Sequence, residues 1–118
     1  IIGYAVKSCG AAEFLSAPVE AVEELLYALK NNDYKTDFSI IEANEAFGIQ
    51  LPLFTKKFAP MALNVHGGAV ALGHPLGAGG ARILTTLLYA MKRYGHSKGL
   101  ATICFGSGGA YAVAVEQV

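Results

Sequence analysis

NVHGGAVALGHPLGAGGARILTTLLYAM, residues 64–91, is the stretch on which the fold turns. Leu63 to His66 reads as a short strand, and a run of glycines opens directly after it. From Ala78 to Met91 the pattern is helical, with Arg82 as its one charged side chain. A helix that is apolar on nearly every face is buried on all sides. One sheet with helices on its two faces would leave one side of each helix toward water, so this helix asks for a further layer. The expectation is that the chain is half of a larger unit.

Working outward, the remaining elements alternate. Ile1 to Lys7 is apolar and partly β-branched, a strand. Ser16 and Pro18 announce a helix, and Val19, Val22, Leu25, Leu26 and Leu29 recur at three- and four-residue intervals until Asn31-Asn32-Asp33 stops it. Phe38 to Ala43 reads as a strand and Glu45 to Phe58 as a helix that Pro52 must kink or shorten. Gly99 to Phe105 and Ala110 to Val115 are two further strands joined by Gly-Ser-Gly-Gly. The order βαβαβαββ predicts an α/β fold: a mixed, mainly parallel five-stranded sheet with helices on both faces and an antiparallel strand added at the end. Residues 1–118 are expected to form one domain.

Composition narrows the class. The chain is 53% hydrophobic and 15% charged, which excludes disorder. Nine basic and nine acidic residues cancel, leaving no broad electrostatic footprint for nucleic acid or an anionic membrane. No apolar run reaches the roughly 18–20 residues of a membrane helix, and no basic region precedes an apolar one as in a signal peptide. Cys9 and Cys104 form no CxxC pair, which suits a reducing, intracellular setting. The chain starts at Ile1 in strand-like sequence, and the expectation is a piece of something longer.

Glycine is the anomaly. There are 14, about 12% where roughly 7% is usual, and nine of them fall in Gly67–Gly80 and Gly106–Gly109. Phosphate binding does not fit. Gly68 to Gly73 has P-loop spacing, but His74-Pro75 stands where Lys-Ser/Thr is needed. Arg82 and Tyr111 break the two GxGxxG candidates. The second idea is close backbone approach to a reacting group. His74 and Cys104 each sit beside a glycine turn after a strand, at the edge where α/β sheets bind ligands. A cysteine near a histidine can act as a thiolate or proton shuttle, and the N–H groups of Gly106 and Gly108 could hold an oxyanion. Tight turns around a buried cysteine and a satisfied histidine remain the plain alternative, and Asn44 could simply cap the second helix.

Three blocks together resemble the C-terminal half of a thiolase, of the acetyl-CoA acetyltransferase or 3-ketoacyl-CoA thiolase kind. They are Asn44-Glu-Ala-Phe47, the run from Asn64 to Gly77, and Cys104-Phe-Gly-Ser-Gly108, which are similar to the family's NEAF, GHP and CxGxG motifs in order. About thirty residues separate successive functional positions, and the resemblance runs from the first strand to Val118. It implies carbon–carbon bond formation or cleavage between acyl units on coenzyme A through an acyl-cysteine. His74 matches the histidine that activates the nucleophilic cysteine and joins the oxyanion hole for the thioester oxygen. Asn44 matches the residue that holds a water there. Cys104 matches the cysteine that moves the proton at the substrate α-carbon, and Gly106 matches the glycine whose N–H binds the acyl-enzyme oxyanion. Phe47 matches an apolar wall beside the pantetheine arm.

The resemblance also implies what is missing. The nucleophilic cysteine belongs to an N-terminal half that nothing here matches, so the isolated chain is expected to be inactive. The expected partners are that half, an acyl-CoA substrate and further copies in a homo-oligomer, with neither nucleic acid nor membrane. No permanent cofactor or metal is expected, coenzyme A thioesters being substrates. The expected location is cytoplasmic, with mitochondrion and peroxisome left open. Gly79 stands where serine is frequent, Ser107 and Ala110 where glycine is frequent, and Pro52 in a helix usually free of proline. The alternative is a non-catalytic thiolase-like structural or regulatory subunit. Glu45 reads as a first-turn acid, Arg82 as a structural hydrogen-bond donor at a subunit or domain contact, and Cys9 as a small buried side chain.

Overall fold

The computed structural model describes residues 1–59 and 61–117. Val118, the last residue of the expected domain and of the resemblance, lies outside the described residues. Five strands, β1 (Gly3–Ser8), β2 (Ile40–Ala43), β3 (Ala62–Leu63), β4 (Lys98–Phe105) and β5 (Gly109–Glu116), form one sheet in the order β1-β5-β4-β2-β3. β2 is parallel to β3 and β4, while β5 is antiparallel to both β4 and β1. Four strands therefore run one way, and the antiparallel fifth lies inside the sheet. The short β4–β5 hairpin seats β5 against β4, which leaves β1 the far side of β5 as its pairing edge.

Side-chain alternation along the strands divides two cores. Ile41, Ala43, Leu100, Ala110, Ala112 and Ala114 point to one face, where α1 (Ala17–Asn31) packs with Val22, Leu25 and Leu29, joined by Phe54 of α2 (Gln50–Phe58). Ile40, Ala101 and Val115 point to the other, under Ile83, Leu87, Ala90 and Met91 of α4 (Gly79–Tyr94). Helices thus cover both faces. α1 has Pro18 at its second position, where no intrahelical N–H is needed, and the chain leaves it through Asp33 in a left-handed conformation.

Four expectations change in detail. α2 begins at Gln50 rather than Glu45, so Pro52 falls in the first turn, whose N–H groups have no intrahelical acceptor, and it shortens the helix without a kink. β3 is two residues long because Asn64 adopts a left-handed backbone that turns the chain away. A four-residue helix, α3 (Ala69–Leu72), occupies the first glycine tract. α4 buries one face only. Leu88, Tyr89 and Tyr94 are exposed on its outer side, and Tyr4, Val6 and Tyr111 are exposed on the sheet face beside it.

Candidate active site

The C-terminal ends of the parallel neighbours β2 and β4 lie side by side, with Ala43 opposite Thr102. The ladder continues one step further, because the Asn44 N–H donates to the Thr102 carbonyl at 2.9 Å. Asn44 is buried and does not cap α2. Across the sheet edge, Asn64 replaces the strand that its own left-handed turn ends. Its Oδ1 accepts the Ala43 N–H at 2.8 Å, and its Nδ2 donates to the Ala43 carbonyl at 2.8 Å. This side-chain ladder fixes the backbone just before Asn44.

Glu45 is not a first-turn acid of α2. Its carboxylate is buried, accepts from Asn64 Nδ2 at 2.8 Å and from the Val70 N–H of α3 at 2.9 Å, and so ties the β2 exit to the start of α3. Gly68, just before α3, makes room for it: a Cβ there would lie 2.2 Å from Glu45 Oε1. α3 ends at Gly73, and His74 follows. The imidazole lies against the opening of α4, where a Cβ at Gly79 would stand 3.3 Å from His74 Cε1. His74 Nε2 is 3.5 Å from Asn44 Nδ2, and Arg82 Nη2 is 3.5 Å from Asn44 Oδ1. Both contacts are at the long limit of hydrogen bonding. Arg82 thus has a partner within the chain, on the side chain of Asn44.

Cys104 is the penultimate residue of β4 and Gly106 opens the turn after it. His74, Cys104, Gly106 and Phe47 line one cleft of about 340 Å³, and Asn44 reaches it through His74. Phe14, Ala46, Leu76 and Phe105 complete its walls. Phe47 is half exposed and meets Phe14 edge to face at 5.5 Å. The turn past Gly106 is held from behind: Gly108 has φ +90°, its carbonyl accepts the Cys9 N–H at 2.9 Å, and a Cβ there would lie 2.5 Å from the Cys9 carbonyl. Part of the second glycine patch therefore serves close packing rather than amide exposure. Ser107 sits in the same turn at φ +74°, a conformation that disfavours a side chain.

All five sequence-predicted residues converge here, but several neighbours were not foreseen. Phe14 lies in the connection between the first strand and α1, which carried no motif, and Asn64 was read as part of a strand. Glu42 lies two residues before Asn44, fully buried, and neither oxygen has a hydrogen-bond partner among the described residues. Burial pushes its carboxyl up to about 7; the Arg82 charge works against this rise and the Glu45 charge adds to it. The one signal in the sequence was an acid inside an otherwise apolar strand pattern, which does not by itself tie it to the site. Cys9 is half-buried rather than buried, and desolvation together with Glu20 and Glu13 pushes its thiol up, away from thiolate character. Among the described residues no group of three His, Cys, Asp or Glu side chains is placed to hold a metal ion. Among the described residues no helix is long and apolar enough to cross a membrane.

Comparison with known proteins shows the family and the fold. The family model of the thiolase C-terminal domain matches residues 1–117. The chain is 52% identical over 84 residues to an acetyl-CoA acetyltransferase of Rhizobium meliloti, covering 70% of this chain and 21% of that protein. It is 44% identical over 119 aligned positions to the acetyl-CoA acetyltransferase of Chromobacterium violaceum, covering 99% of this chain and 30% of that one. The crystal structure of the Bacillus anthracis acetyl-CoA acetyltransferase superposes with a TM-score of 0.87 at 34% identity, over 100% of this chain and 30% of that chain. Human mitochondrial 3-ketoacyl-CoA thiolase gives 0.87 at 33%, with the same coverage. The chain thus spans less than a third of the length of these relatives. With a family match from end to end and a shared fold, the chain belongs to the thiolase family, as its C-terminal domain.

Proposed function

We propose that this chain is the C-terminal catalytic half of a coenzyme A-dependent thiolase, an acyl-CoA C-acyltransferase. The observation that carries the proposal is the convergence of His74, Cys104, Gly106 and Phe47 on one cleft, with Asn44 against His74. In the condensing direction, the Cys104 thiolate takes a proton from the α-carbon of an acyl-CoA. His74 and a water held by Asn44 face the thioester oxygen, on which the enolate charge develops. The α-carbon attacks the acyl carbon held on the cysteine of the N-terminal half, and the Gly106 N–H receives the oxyanion before that thiolate leaves. Thiolysis is the reverse. An α-proton becomes removable only when fixed donors meet the enolate oxygen, and that need explains these residue types around one cleft. Phe47 offers the pantetheine arm an apolar wall.

The nucleophile belongs to the N-terminal half, so the chain alone does not turn over. The exposed apolar side chains on the α4 side (Tyr4, Val6, Tyr111, Leu88 and Tyr89) support packing against that half and assembly into a homo-oligomer. Residues 1–118 then form one domain of the larger protein, which works on coenzyme A thioesters with no permanently held cofactor. The complete protein, N-terminal half included, is expected to cleave acetoacetyl-CoA with coenzyme A, and His74→Ala is expected to lower that rate by about 10³-fold or more. A complete, folded protein without such activity would favour the alternative of a non-catalytic thiolase-like subunit.

A further inference from the structure

Glu42 stands out among the polar groups that the proposed mechanism leaves unused. It is fully buried on β2, and both carboxyl oxygens lack a hydrogen-bond partner among the described residues. A buried carboxyl in that condition costs stability, and an apolar residue of similar size would cost less. Its placement suggests what the group does there. Glu42 and Asn44 are two residues apart in extended chain, so both side chains project to the face covered by α4. Arg82, in the first turn of α4, is the cation whose charge acts on Glu42, and its Nη2 reaches Asn44 Oδ1 at 3.5 Å. Its Nε is buried without a partner among the described residues, as the Glu42 oxygens are. A buried carboxyl and a buried guanidinium nitrogen, both without partners among the described residues, thus lie on the sheet face that carries the amide meeting His74.

We propose that Glu42 is a positioning residue of the acid–base site: with Arg82 it holds the Asn44 side chain in the orientation that presents Nδ2 to His74. An asparagine amide can face either way. A guanidinium donor on Oδ1 selects the orientation in which Nδ2 points to His74, since Arg offers donors only. Glu42 keeps the guanidinium from drifting toward solvent by its fixed, buried place in the strand beside Asn44. The inference rests on the thiolase reading of the site in that its kinetic consequence is a slower chemical step.

The test is a double-mutant cycle in the complete protein with its N-terminal half. Asn44→Ala is expected to lower kcat by about 100-fold, and Glu42→Gln by about tenfold with KM within about twofold of wild type. The double variant is expected to be no slower than Asn44→Ala alone, because Glu42 acts through Asn44. Independent losses that multiply, or a Glu42→Gln kcat within about twofold of wild type, would overturn the proposal. Should Glu42→Gln fail to accumulate, Arg82→Lys keeps the charge without the planar fork and probes the same link, with the same loss and the same non-additivity expected. Crystal structures of the complete wild-type and Glu42→Gln proteins give a readout that needs no activity. The Asn44 amide is expected to leave its His74 contact in the variant, and an unchanged Asn44 would overturn the proposal. An inactive wild-type protein with the displaced amide would count against the thiolase reading alone.

Discussion

Gly68→Ala is a one-carbon perturbation whose effect can be worked from the structure. The added Cβ would lie 2.2, 2.3 and 2.7 Å from the Oε1, Cδ and Oε2 atoms of Glu45. The end of a long side chain can usually swing aside, but this one is held by Asn64 Nδ2 at 2.8 Å and by the Val70 N–H at 2.9 Å. Displacing it breaks both bonds and leaves a buried carboxylate. Hydrogen bonds to charged groups contribute about 1.5–3 kcal/mol each, so the expected destabilisation is about 3–6 kcal/mol. The alternative, a shift of Gly68 itself, carries α3 and the His74 segment away from Asn44. Either way, urea unfolding should register the loss, and any catalytic rate of the complete protein should fall with it. Glu45→Asp draws the carboxylate back by one methylene and should restore about 1 kcal/mol or more in the Gly68→Ala background, while being destabilising alone. A Gly68→Ala protein within about 0.5 kcal/mol of wild type would refute the reasoning, because the carboxylate would then have moved without cost.

Other outcomes follow from the same contacts. Because the folded-state pKa of Glu42, about 7, lies above its ordinary value of 4.5, the native state holds the Glu42 proton more tightly than the unfolded chain. Its contribution is fully present below about pH 4.5 and declines as pH rises through 7, a loss of about 3 kcal/mol by pH 8. Melting of wild type and Glu42→Gln across pH 5 to 8 should show a steeper decline for wild type, and parallel curves would contradict the assignment. Ser107→Gly removes a left-handed serine, a relief of about 1–2 kcal/mol offset by about 0.5–1 kcal/mol of added unfolded-state freedom. A net gain of about 0.5–1 kcal/mol in unfolding free energy is expected, and a loss would show that the serine hydroxyl holds the turn. Phe47→Ala removes half of the Phe14–Phe47 wall and should raise KM for acyl-CoA several-fold with little change in kcat; a fall in kcat alone would place Phe47 in the chemical step instead.

What could be read from the residues, and what could not, divides along range of interaction. Helix α1 was legible because its apolar spacing, Pro18 and the Asn-Asn-Asp stop are all local. The place of β1 beyond β5 was not, since only the pairing of Gly3–Ser8 with Gly109–Ala114 decides it. α3 escaped because four residues, Ala-Val-Ala-Leu, cannot display a helical period. The cleft itself was visible as three motifs, each carrying its own residue types. Asn64 and Glu42 were invisible as parts of it because their use depends on partners far along the chain: Ala43 and Glu45 for one, Arg82 for the other. Glu45 was misplaced for the same reason, its acceptor role being spent on α3 rather than on α2.

The claim at the centre is that Cys104, beside His74 and Gly106, moves the α-carbon proton of an acyl-CoA. Exchange of the acetyl methyl protons of acetyl-CoA with deuterium from solvent, followed by mass spectrometry in the complete protein, measures that step without needing a full condensation. Wild type is expected to exchange. Cys104→Ala is expected to lose exchange by about 10³-fold or more while still acquiring an acetyl group on the cysteine of the N-terminal half. Undiminished exchange in a folded Cys104→Ala protein would contradict the account.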